Sequence, residues 1–320
     1  MKFLFFLLSS IPLISISQAT DPKIIDMNKA AFKVLQVGEN PDFIATSADE
    51  AWVVDDRHNL IHKISPVGKT PLLTISVPEA CTAPVVGFGA VWVMSCSEHS
   101  LYKIDNSKGT ILAKIATGLA DKNGEMSLSI GDGSVWLLSD SAGILIRVNP
   151  KTNSIQKKIT VSANSYCTVY GYNSVWVTNY KNNSVQKINP QTNSVIATIP
   201  VGLKPRFLTA GENGIWTLNQ GDGTVSRIDP LTNKLIATIN VKAVGGGGDI
   251  TTGGGKIWIV STNTERPVQT INPLSNSVEK IYTQHAVPGK VFKVDGAARS
   301  SKNYIWVSGY YSKTVWVLKK

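Results

Sequence analysis

Arg206 has the setting in this chain that most favours chemistry on an anion. It follows a proline in "LKPRFLT", and a guanidinium held on a rigid strand presents a bidentate fork to a carboxylate or phosphate. It stands ten residues before a tryptophan, and the same offset from other tryptophans gives Asp42, Thr82, Met126, Tyr166 and Gly248, with Glu125 and Asp249 one position to either side. Positions that serve packing alone converge on similar residues from unit to unit. These diverge and turn polar, which marks Asp42, Glu125, Tyr166, Arg206 and Asp249 as a candidate ligand-binding set. Two roles fit Arg206: an anchor for an anionic ligand, or a latch pairing with Glu125 or Asp249. Tyr180 and Tyr310 would add amphipathic walls.

Other reactive residues carry weaker signals. His99 beside Glu98 is a candidate for acid–base work on the same face, although neighbours on a tight turn point apart and a solvated turn accounts for the pair equally well. Cys81 and Cys96 flank the first hairpin of one unit, so antiparallel pairing brings them to one end and a disulfide is expected in an oxidising compartment. Cys167 is left over as a small buried residue, with no histidine in its repeat to activate it as a nucleophile. Ligand spacing for a metal is lacking. The glycine-rich run at residues 245–255 is followed neither by a helix nor by Gly-Lys-Ser/Thr, so no nucleotide or other cofactor is expected. Glycine there lets a crossover approach the axis and place Asp249 at its mouth.

The elements that position these residues are set by a repeat. Seven tryptophans, Trp52, Trp92, Trp136, Trp176, Trp216, Trp258 and Trp306, follow one another at spacings of 40, 44, 40, 40, 42 and 48. Each sits in a short apolar run such as "SVWVTN" or "GIWTLN", the pattern of a strand buried on both faces. An alternating strand follows, then an Asx-Pro turn ("NPQTN", "DPLTN"), then a β-branched strand. Proline presets that turn, and the Asn or Asp before it bonds the following amides. With a short strand upstream, each unit has four strands, a to d, and its tryptophan on b. Such a sheet cannot bury both faces alone, so the expectation is an all-β, seven-bladed β-propeller with four antiparallel strands per blade. The seventh unit ends at Lys320 without a fourth strand, and the surplus strand "FKVLQVG" lies at residues 32–38. Pairing of that N-terminal strand into the last blade would close the ring and leave no open edge there.

These units resemble the YVTN-type propeller repeat of bacterial exported proteins, most closely in "VWVTNYKNNSVQKINPQTNSVIATIPVG", and the resemblance covers nearly all of the chain after residue 19. It implies the propeller fold. For function it implies several things at once, since relatives include proteins suggested to bind DNA, surface antigens and, more distantly, streptogramin lyases. The lyase repeats carry a phrase like "PDGNVWFTE", where this chain has "GENGIWTLN" and "GYNSVWVTN".

Composition bounds the rest. The apolar run at residues 3–16, preceded by Lys2 and followed by Ser17-Gln18-Ala19, reads as a signal peptide over residues 1–19, too short to span a bilayer. Residues 20–320 then form one propeller domain, periplasmic or secreted, monomeric, with no later segment long enough to span. The net charge of +10 falls to +9 without Lys2. Lys63, Lys103, Arg147, Lys187 and Arg227 recur eleven residues after their tryptophans, as solvated rungs spread around the ring. Such a charge favours anionic partners, a small molecule, a polymer or a protein, and no motif for specific nucleic-acid reading accompanies it. The expected function is a ligand-binding or scaffolding module with its site at the channel mouth. A lyase-like enzyme and a non-specific binder of single-stranded DNA or polysaccharide are the alternatives.

Overall fold

The computed structural model describes residues 21–120, 126–139, 141–284 and 292–320, so the expected signal peptide at residues 1–19, Glu125 and His285 lie outside the described residues. Seven sheets, each with four antiparallel strands, form a propeller. Their innermost strands are Pro41–Ser47, Val85–Gly87, Ser127–Gly131, Thr168–Gly171, Pro205–Gly211, Asp249–Gly253 and Ala298–Ser300. Each touches the next around the ring, and the last touches the first.

The repeated residues explain why. At each Asx-Pro turn the Asx oxygen caps the turn; Asn149 Oδ1 accepts from the amides of Lys151 (2.8 Å) and Thr152 (3.3 Å), and Asn189 and Asp229 do the same. The repeat tryptophans fill the space between blades, where apolar clusters join strands of two neighbouring sheets. One cluster sets Trp136, Leu138 and Leu145 of blade three against Val175, Val177 and Ile188 of blade four. Trp52, Trp92, Trp136, Trp176, Trp216 and Trp306 are fully buried. Where the indole N–H goes is equally regular, for Trp92, Trp136, Trp176, Trp216 and Trp258 each donate to the carbonyl of the glycine five residues earlier.

The five strand-c cations are not solvated rungs. Each pairs in register with its tryptophan across the b–c ladder and holds its charge over the indole, from Lys63 over Trp52 at 5.9 Å to Arg227 over Trp216 at 4.7 Å. The charged head then reaches the Asx turn of the following blade, an Asx-Pro turn for all but Lys63, which donates to Asn106 O. Lys187 Nζ donates to Pro230 O (2.8 Å) and Asn233 Oδ1 (3.1 Å), and Arg147 to Pro190 O (2.5 Å) and Asn193 Oδ1 (3.2 Å). Burial correspondingly lowers the pKa of Lys187 and Arg227. These are clamps between successive blades, from one to six.

The ring's beginning and end use other parts. Strand β1 (Lys23–Asp26) runs parallel to Ser277–Thr283 as a fifth strand on blade six. A single helical turn (Met27–Ala30), capped by Asp26, carries the chain across to blade seven. Met27 is fully buried there, and Asn28 Oδ1 accepts the indole N–H of Trp316 at 2.8 Å. Strand β2 (Lys33–Gln36) then pairs antiparallel with Thr314–Lys319 as the outermost strand of that blade. The parallel strand β1 was not expected from the sequence.

Cys81 and Cys96 form a disulfide with Cα atoms 5.9 Å apart, tying the entry of blade two to the end of its tryptophan strand. The cross-link spans a separation of 15 residues, and a loop of that size contributes about 3 kcal/mol by restricting the unfolded chain. The Cys81→Ser/Cys96→Ser variant is expected to melt roughly 5–10 °C lower, on the usual few degrees per kcal/mol for a domain this large. Melts with and without reductant check this, and coincident curves would contradict it.

Candidate functional site

Strands a meet at the axis, and their first residues line a cavity of about 270 Å³. The residue nine before the tryptophan lines it in six blades: Phe43, Ala83, Ser127, Cys167, Phe207 and Asp249. The sequence reading used the position one residue earlier, which supplies Met126, Tyr166 and Arg206 to the same cavity. A second cavity of about 270 Å³ opens above it, lined by Asp42, Arg57, Arg206, residues 246–248, Asp295, Tyr310 and Tyr311. Phe43, Arg206 and Phe207 belong to both. Asp42, Tyr166, Arg206 and Asp249 are thus brought to one end of the axis from four different blades.

Arg206 sits with its guanidinium carbon 5.5 Å from the ring centre of Tyr166 and 5.2 Å from that of Phe207. A guanidinium between aromatic faces has its planar fork oriented by cation–π attraction. Tyr166 packs in turn on Tyr180, centroids 5.1 Å apart at 59°.

Asp249 lies deeper than the mouth. Its carboxylate is buried, accepts the amide N–H of Ile250 (2.8 Å) and Ala298 (3.2 Å), and is ion-paired with Arg299. Burial pushes its carboxyl above the ordinary value of 3.8, while the Arg299 guanidinium pulls the other way. Arg299, on the inner strand of blade seven, was missed in the sequence. Cys167, expected to be buried, is partly exposed to the axial cavity, with its thiol 3.8 Å from Ser127 Oγ. Burial raises its pKa, so it stands in the unreactive thiol form.

The glycine run shapes the mouth as expected of a close backbone approach. Gly247 and Gly248 have φ of +81° and +102°, and a Cβ on Gly248 would lie 2.3 Å from the carbonyl of Val260. On the opposite wall the Tyr310 hydroxyl donates to Asp56 (2.9 Å), and its pKa is pushed up to about 12 by burial and by that carboxylate.

The described histidines lie elsewhere. His99 is exposed in the b–c turn of blade two, in the left-handed region at φ +51°, and lines none of these cavities. His58 Nδ1 (3.1 Å) and His62 Nε2 (3.6 Å) flank the buried Asp55 carboxylate. Asp55 accepts the amide N–H groups of Glu39 and Asn40 and so pins the crossover from strand β2 into blade one. Among the described residues no group of three or more His, Cys, Asp or Glu side chains is arranged to hold a metal ion. Nor, among them, is any helix long and apolar enough to cross a membrane.

No protein-family model and no curated protein sequence matches this chain. Solved structures do match its fold. A streptogramin B lyase superimposes with a TM-score of 0.73 at 15% identity, over 91% of this chain and 98% of the lyase. A selenomethionine-substituted virginiamycin B lyase from Staphylococcus aureus gives 0.71 at 15% identity over 90% and 98% of the two chains. A catalytically inactive histidine-to-alanine variant of virginiamycin B lyase from Staphylococcus aureus, solved with quinupristin, gives 0.71 at 16% identity over 90% and 99%. The chain therefore shares the seven-bladed propeller of these lyases.

Proposed function

We propose that the protein is an exported, monomeric ligand-binding module, periplasmic or secreted, that captures a small anionic molecule at the channel mouth. The observation that carries this reading is the place of Arg206, where the mouth and the axial cavity meet, its fork oriented between Tyr166 and Phe207. Arg206 anchors the anion, Tyr166 and Phe207 cover the apolar body attached to it, and Asp42 rejects ligands carrying a second anionic group on that side. Asp249, neutralised by Arg299, forms the polar floor. The disulfide fits an oxidising compartment.

Thermal-shift screening of carboxylate and phosphate metabolites tests this, because a ligand that prefers the folded state raises the melting temperature. A hit is expected, and Arg206→Ala should weaken it by roughly 10- to 100-fold, the worth of one hydrogen-bonded charge pair. Unchanged affinity in Arg206→Ala would remove the basis of the proposal.

The lyase-like propeller favours a second reading, lyase activity on a streptogramin-type substrate. One of the solved lyases loses activity when a histidine is replaced. In this chain His58, His62 and His99 all stand outside the mouth and axial cavities. Incubation with quinupristin, followed by mass spectrometry, separates the two. The binding reading expects no product, and conversion of quinupristin to a product would make the protein an enzyme.

A further inference from the structure

A groove of about 620 Å³, sharing Tyr166 with the axial cavity, lies between blades four and five. It is lined by Tyr166, Tyr180 and Leu203, by the exposed Lys181 and Lys204, and by Asn164 and Asn183. We propose that this groove binds a carboxylate-bearing oligosaccharide, whose terminal residue enters the mouth; the proposal rests on the anion-binding reading of Arg206.

Charge is the first argument. Both lysines are exposed, and neither makes an ion pair among the described residues, whereas Lys313 and Lys293 on the same face pair with Glu39 and Asp295. Asp222, on the adjoining turn, is taken up by the amides of Leu203 (2.8 Å) and Thr224 (3.1 Å). Two unpaired lysines against this one amide-bound carboxylate leave the groove with an excess of positive charge around an aromatic wall, which suits an anionic, ring-bearing ligand.

Backbone conformation is the second. Lys204 lies in the left-handed region at φ +54°, directly before a proline. Its counterpart in blade four is Asn164 at φ +60°, a residue type that tolerates this region as lysine does not. The Asn183 side chain, accepting from Lys204 N at 2.8 Å, and the amide of Gln220, donating to Lys204 O at 3.0 Å, hold the turn in place. The result is an ammonium group 5.8 Å from the ring centre of Tyr180.

Ring geometry selects the class of polymer. Tyr166 and Tyr180 already pack on each other at 59°, so no parallel slot is left between them to take a base. Single strands are held by successive stacking faces and by cations that track every phosphate. A sugar needs only one aromatic face for its apolar side. The Asn164 amide offers a donor and an acceptor side by side, which match vicinal hydroxyls, and lysine supplies the point charge that suits a single carboxylate.

An array of uronic- and sialic-acid oligosaccharides, each beside its methyl ester, tests the inference, with single-stranded oligonucleotides as a third arm. Acidic oligomers are expected to bind at least tenfold more tightly than their esters. Lys181→Gln and Lys204→Gln should each weaken that binding about tenfold, and Tyr180→Ala should weaken esters and acids alike; both lysines are exposed, so these variants fold. Acid and ester bound equally, or oligonucleotides preferred with a steep loss on added salt, would overturn it. The free monosaccharide acids distinguish the two levels: if they bind and depend on Arg206 but not on the lysines, and the oligomers gain nothing, the groove fails and the mouth stands. If Arg206→Ala leaves monomer binding unchanged, the mouth reading fails instead.

Discussion

Deleting residues 32–38 lowers the melting temperature by an expected ~10–20 °C. The segment supplies strand β2, the outermost strand of blade seven, and with it the buried Leu35 and Val37. Both pack in a cluster with Trp306 and Val315 of blade seven and Ile44 and Val53 of blade one. Losing two core side chains costs on the order of 2–4 kcal/mol each through burial and cavity terms, and a large domain loses a few degrees per kcal/mol. The deletion also bares the edge of Thr314–Lys319, an invitation to pairing between molecules. Aggregation on heating is therefore expected along with the lower midpoint. Thermal melts and light scattering check both. A variant that melts within two or three degrees of the parent would show that closure does not depend on this strand.

Arg299→Ala is expected to cost about 3 kcal/mol, because removing one partner of a buried pair strands the other charge. The sign of its pH dependence follows from Asp249. That carboxyl is raised above 3.8 by burial, against the pull of Arg299, and without the arginine only burial remains. A carboxyl raised in the folded state gives the native protein protons that the unfolded chain does not hold. Its favourable contribution is complete below the unfolded pKa and is lost as pH rises through the folded one. The gap between parent and variant should therefore be widest at pH 7–8 and narrow on acidification toward pH 5. Adding Asp249→Asn should flatten it. Melting temperatures of the three proteins across that range test the pair, and a gap that does not change with pH would contradict it.

Much of the fold was legible because the tryptophan spacing and the Asx-Pro turns are local signals that repeat. A missing fourth strand at one end and a surplus strand at the other also have only one economical arrangement. The strand at Lys23–Asp26 was not legible, since it pairs parallel to its neighbour outside the repeat and carries no tryptophan to mark its register. The strand-c cations were visible as a period but misread as solvated, because their partners, in turns 43 to 50 residues further on, belong to the next blade. Around the axial cavity, counting ten back from tryptophan gives Met126, Tyr166 and Arg206, whereas the register one residue later lines it in six blades. Phe43 and Phe207 share that register and were readable as an aromatic pair. Arg299 was not, because the longest spacing, 48 residues, falls just before its tryptophan and breaks the count.

The cation clamps also give the ring a sense of rotation, for every one points from an earlier blade to a later one. A repeat carries the donor for its successor and the acceptor for its predecessor, so a tandem copy of the gene segment would arrive with both halves of its joints. Lengthening by whole units is thus open to such a chain between blades one and six. The unlike parts gathered at residues 21–37 act as the fastener, and they are where growth must stop.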